Sequence, residues 1–116
     1  MKFATAAQMR QLDRRTMDEF GLPGEALMER AGDGVARAVL RMAALAGCGR
    51  PSVHLLAGKG NNGGDAFAAA RVLKNEGCSV AVWMAGSITE VKGDALIHLN
   101  RMQMAGVDLR EMPSVK

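Results

Sequence analysis

The chain has 116 residues, of which 48% are hydrophobic and 23% charged, with a formal net charge of +3. That length suits one small domain with its own core. Acidic and basic residues are interspersed without a like-charged run, which argues against nucleic acid as a partner, and no apolar stretch approaches the length of a membrane span.

Aromatic residues make up only 3% against nine methionines, so the core is expected to be aliphatic and soft. Met1 to Thr5 runs straight into a polar segment, unlike a secretory signal. Cys48 and Cys78 stand far apart with no zinc or C-x-x-C spacing. They read as reduced, small apolar residues of a cytoplasmic protein.

In chain order, Thr5 and Gln8 form a T-x-x-Q capping box. Met9, Leu12, Thr16, Met17 and Phe20 follow at helical spacing, predicting a helix over about 6–20 that Gly21 ends. Pro23 suits the first turn of a second helix. Leu27, Met28, Ala31, Val35, Ala38, Val39, Met42 and Leu45 give that helix its apolar stripe. Gly32 and Gly34 each cost it about 1 kcal/mol against Ala, which implies a close approach in return. Gly47, Gly49 and Pro51 stop it.

Val53–Ala57 reads as a strand, with His54 as a sheet-edge histidine rather than a catalytic one. A helix from Ala66 to Glu76 ends at Gly77, and Ser79–Met84 is a second strand, parallel to the first through a right-handed crossover. Ser87 and Glu90 form another capping box, assigned to a helix whose buried stripe is Ala95, Leu96, Leu99 and Met102. Gly106 closes that helix, and Val107-Asp108-Leu109 begins a third strand. The predicted class is α/β: a Rossmann-like three-layer αβα arrangement with a parallel sheet, preceded by two N-terminal helices. With no sequence left to pair with the first strand, residues 1–116 read as a single, truncated domain with an apolar edge.

Between the first strand and its helix lies Gly58-Lys59-Gly60-Asn61-Asn62-Gly63-Gly64-Asp65. Glycines permit positive φ and close approach, and the helix start offers free N–H groups to an anion. Gly58, Gly60 and Gly63 fit G-x-G-x-x-G in the right context. The second strand, however, ends Met84-Ala85-Gly86, without the acid that holds a ribose in NAD-binding units, which argues against a conventional NAD-dependent oxidoreductase. No Lys-Ser/Thr follows the last glycine, so it is not a Walker A loop. The Asn61–Asn62 amide oxygens suit a hydroxyl or a hard cation. Asp65 has two open roles, substrate contact and helix N-cap. Lys59 can meet a phosphate or stand solvated, and Arg71 is expected to face water.

The Gly58–Asp65 segment resembles the signature of the YjeF N-terminal domain family, the NAD(P)H-hydrate epimerases. Thr5–Asp13, Gly21-Leu22-Pro23-Gly24, Leu27-Met28-Glu29 and Lys92-Gly93-Asp94-Ala95 are similar to that family in register. The resemblance implies an isomerase that interconverts the R and S forms of hydrated NADH or NADPH. It implies that Asn61, Asn62, Gly63, Gly64 and Asp65 line the substrate pocket and that the Asn62 side-chain oxygen binds a potassium ion. Family members are about twice this length and many are fused to a dehydratase. The resemblance also implies a catalytic aspartate beyond Lys116, in a Val-Asp-x-Pro-Ser-Gly segment absent here. A homo-oligomer, a dimer, is expected from the open edge, with no nucleic-acid or membrane partner. Arg30 stands where the family usually has Asn, and Ala66 where Gly is common. Some relatives are non-catalytic ligand-binding or dimerisation scaffolds, and that alternative stays open.

Overall fold

The structure, a computed structural model, describes residues 24–58 and 63–112. The predicted helix over 6–20, Lys59, Asn61 and Asn62 lie outside the described residues.

Helix α1 spans Gly24–Leu45, strand β1 Ser52–Ala57, helix α2 Gly64–Asn75, strand β2 Ser79–Met84, helix α3 Gly93–Met104 and strand β3 Asp108–Glu111. A 3-10 turn, Ile88–Glu90, precedes α3. The strands form a parallel sheet in the order β1-β2-β3, with Val53 opposite Val80, Leu55 opposite Val82 and Val82 opposite Leu109. Right-handed crossovers in a sheet that steps one way put α2 and α3 on the same face. Alternation then sorts the side chains. Val53, Leu55, Ala57, Val80, Val82 and Met84 are buried in one core with Phe67, Leu73, Leu99 and Met102 from the helices. Helix α1 packs across α2 and α3, burying Leu27, Ala31, Gly32 and Ala36.

All three helices end alike. Gly47, Gly77 and Gly106 take positive φ, at 78°, 92° and 85°. The next residue's N–H then reaches back: Cys48 to Ala43 O at 2.8 Å, Cys78 to Leu73 O at 3.1 Å, Val107 to Met102 O at 3.3 Å. These are Schellman terminations, which use glycine's freedom to satisfy the last carbonyls.

Two sequence expectations need correction. The Ser87–Glu90 capping box is present, but it caps the 3-10 turn. Extended Lys92 separates that turn from α3, which starts at Gly93. The buried stripe of α3 is Ala95, His98, Leu99 and Met102, whereas Leu96 is 40% exposed. Positions 95, 98/99 and 102 share one face at 3.6 residues per turn, and 96 is rotated about 100° off it.

Candidate functional site

The glycine turn starts where β1 ends. Helix α2 begins earlier than its apolar periodicity suggests, so Gly64 is its first residue and Gly63 its N-cap, at φ −84° and ψ −11°. Asp65 is therefore not the cap. It is the acid of the first turn and is 4% exposed, placed where a negative charge is favoured by the helix dipole. Nor do Gly63 and Gly64 serve by positive φ; crowding requires them. A Cβ on Gly63 would lie 3.0 Å from the Phe67 ring and 3.1 Å from Gly58 O. One on Gly64 would lie 2.5 Å from Met28 Sδ and 3.2 Å from Ala95 Cα.

Those contacts show what surrounds the turn. Met28 comes from the start of α1 and Ala95 from the start of α3. Asp94 Oδ2 lies against Gly24, the first residue of α1. The N-termini of all three helices thus converge at the carboxyl end of the sheet, beside the glycine turn. Each first turn carries an acid: Glu25, Asp65 and Asp94. The Leu27-Met28-Glu29, Gly63-Gly64-Asp65 and Gly93-Asp94-Ala95 segments, far apart in sequence, are neighbours here. Helix starts expose N–H groups without intrahelical partners and carry positive partial charge, so this end of the molecule can receive an anion.

Behind the turn lies a polar cluster that sequence reasoning missed. Arg71 of α2 donates from Nη2 to Glu29 Oε1 and is only 22% exposed, contrary to the expectation that it faces water. Positions 64, 68 and 71 share the face of α2 turned to α1, which is why. His98 of α3 is fully buried; its Nε2 lies 2.9 Å from Glu25 O and its Nδ1 3.4 Å from Glu29 Oε2. Arg101 binds Glu25 and approaches Glu29 Oε2 at 3.9 Å. Glu29 of α1 is thus paired with Arg71 of α2 and lies near His98 and Arg101 of α3. Arg30, by contrast, is exposed.

The opposite sheet face carries His54, Trp83 and Arg110. Trp83 Nε1–H donates to His54 Nδ1 at 2.9 Å, and the Arg110 guanidinium lies 5.3 Å from the Trp83 ring centroid. This is a cross-strand ladder, in keeping with the reading of His54 as a sheet histidine. At the end of β3, Glu111 Oε1 accepts from Ile88 N–H at 2.7 Å and so caps the 3-10 turn. A cleft of about 380 Å³ lined by Val39, Met42, Cys48 and Val53 lies at the amino end of β1, away from the glycine turn. Among the described residues no cluster of His, Cys, Asp and Glu fits a metal ion, and no helix is long and apolar enough to cross a membrane.

A parallel sheet whose first strand leads through a glycine-rich segment into a helix start defines an α/β protein. The chain belongs to the family described as YjeF-related protein N-terminus, whose model matches residues 24–116. It is similar to the NAD(P)H-hydrate epimerase of Rhodopirellula baltica, 36% identical over 106 residues that cover 91% of this chain and 41% of that protein. The bifunctional NAD(P)H-hydrate repair enzyme Nnr of Moorella thermoacetica is 38% identical, with 91% and 20% covered. The crystal structure of yeast ynu0, YNL200c, superposes with a TM-score of 0.69 at 28% identity, covering 96% of this chain and 47% of that one. The chain thus spans less than half the length of these relatives, and the family resemblance carried by the glycine segment and its flanking motifs is borne out.

Proposed function

We propose that this chain is the substrate-phosphate portion of an NAD(P)H-hydrate epimerase, an isomerase that interconverts the R and S forms of hydrated NADH or NADPH. The observation that carries the reading is the convergence of three helix N-termini on the glycine turn. Relatives named as epimerases support the reaction. Asn61, Asn62, Gly63, Gly64 and Asp65 line the pocket in this reading. The dinucleotide phosphates lie against the start of α2, whose first-turn N–H groups lack intrahelical partners.

Potassium belongs to the same reading. Asn62 directly precedes the described turn, and its amide oxygen is a hard donor of the kind such a cation takes. The acid/base is assigned to the part of the family domain that corresponds to residues after 116. Pairing of two copies, a dehydratase as fused or separate partner, and a cytoplasmic setting complete the proposal. The relatives named Nnr are bifunctional repair enzymes, which supports the dehydratase link.

The test is epimerisation of R-configured NADPH hydrate with potassium present, coupled to an S-specific dehydratase. The 116-residue chain should be inactive alone, and a chain extended by the family's second half should turn over. Failure of the extended chain, with the fold intact, would instead favour a non-catalytic ligand-binding or dimerisation scaffold.

A further inference from the structure

We infer that Glu29 is a positioning residue for the glycine turn, acting through Met28 and Gly64. The inference rests on reading that turn as the phosphate-binding element. The role of Glu29 follows from what it holds among the described residues. Arg71 of α2 binds its Oε1, while His98 and Arg101 of α3 face its Oε2 at 3.4 and 3.9 Å. The His98 ring is fixed in turn by Glu25 O.

The residue before Glu29 is the one that meets the turn. Met28 Sδ occupies the space a Cβ on Gly64 would need. One turn further along α1, Gly32 lies so close to α2 that a Cβ there would come within 2.5 Å of Ala68 Cβ and 2.7 Å of Ala69 N. Residues 28 and 32 of α1 therefore seat against 64 and 68 of α2 in an i, i+4 match. Packing at Gly32 fixes the separation of the helices. Beside that seat the Glu29–Arg71 pair adds one charge-assisted contact between them. That contact holds the helices in register, and the register sets the height of the α2 start relative to the other two helix N-termini.

The experiment uses the 116-residue chain and amide hydrogen exchange. In an α-helix the Phe67 and Ala68 amides donate to the carbonyls of Gly63 and Gly64, so they report on the first turn of α2. Leu55 and Val82, buried in the sheet, report on global opening. Glu29→Gln keeps the shape and removes the charge. It should speed exchange at Phe67 and Ala68 by about tenfold, the size of one lost charge-assisted hydrogen bond, while Leu55 and Val82 change less than about twofold. Arg71→Met should do the same, and the double variant should add little to either single one. Equal acceleration at all four amides would mean only a structural role and would overturn the inference, as would no change at Phe67 and Ala68. Should Glu29→Gln fail to fold, Arg71→Lys decides on the same four amides: it keeps the charge but loses the guanidinium Nη2 contact and should give a partial, turn-selective rise. NADP+ titration of the same variants separates the two ideas. A wild-type chain that binds no dinucleotide but shows turn-selective exchange refutes the phosphate reading and leaves the positioning role standing.

Discussion

Gly32 and Gly34 lie two residues apart in α1 and face opposite constraints. Gly32 is buried against the backbone of α2, with Ala68 C at 2.8 Å from where a Cβ would stand. Neither backbone can yield cheaply, so Gly32→Ala is expected to destabilise by about 1–3 kcal/mol. Gly34 is exposed and has nothing within 4 Å. Gly34→Ala should therefore stabilise by about 0.5–1 kcal/mol through helix propensity. Urea denaturation midpoints of the two variants should move in opposite directions. The cysteines offer a similar contrast. Cys48 is exposed and Cys78 buried, and burial, with Glu76 next in effect, pushes the Cys78 thiol above its ordinary pKa. A raised pKa means less thiolate at a given pH, and burial blocks access. Iodoacetamide at pH 8 should label Cys48 alone in the folded chain and both cysteines in urea, as intact mass would show.

Element boundaries decided what the sequence could reveal. The apolar periodicity of α1 and the short apolar runs of β1 and β2 are local signals, and those elements lie where they point. The three glycine terminations are equally local and were equally legible. The start of α2 was not, because the crowding at Gly63 and Gly64 comes from Met28, Phe67 and Ala95, residues that only the fold brings there. That shift of two residues turned Asp65 from a cap into a first-turn acid. The Arg71–Glu29 pair spans 42 positions and His98–Glu25 spans 73, so no local pattern could show them. The buried face of α3 was largely legible from Ala95, Leu99 and Met102, but His98 on that face is polar and does not register in an apolar stripe. Because the Ser87–Glu90 capping box serves a single 3-10 turn, Ser87→Ala should cost no more than about 1 kcal/mol. It should leave the far-ultraviolet helical signal of α3 unchanged.

At the scale of the molecule, the described residues leave one sheet face and the outer edge of β1 uncovered. Leu56 on that strand is 39% exposed. Unpaired strand groups and apolar side chains together favour association. Sedimentation should therefore shift with concentration, and Leu56→Lys should move the chain toward the monomer. The helices gather at the other face, and their N-termini meet beside the glycine turn at the carboxyl end of the sheet, where open α/β sheets bind their ligands. Family membership was readable from Gly58–Asp65 and its flanking motifs. The convergence of Leu27–Glu29 and Gly93–Ala95 on that segment was not, since it depends on the crossing of three helices.

The most direct measurement is a titration of the 15N-labelled 116-residue chain with NADP+ in potassium buffer, followed at the backbone amides. A dinucleotide held at the helix starts should give saturable shifts at Gly63, Gly64 and Asp65, with smaller ones at Asp94 and Ala95, weakened by added phosphate. Absence of saturation, or shifts confined to the cleft near Val39 and Val53, would contradict the account.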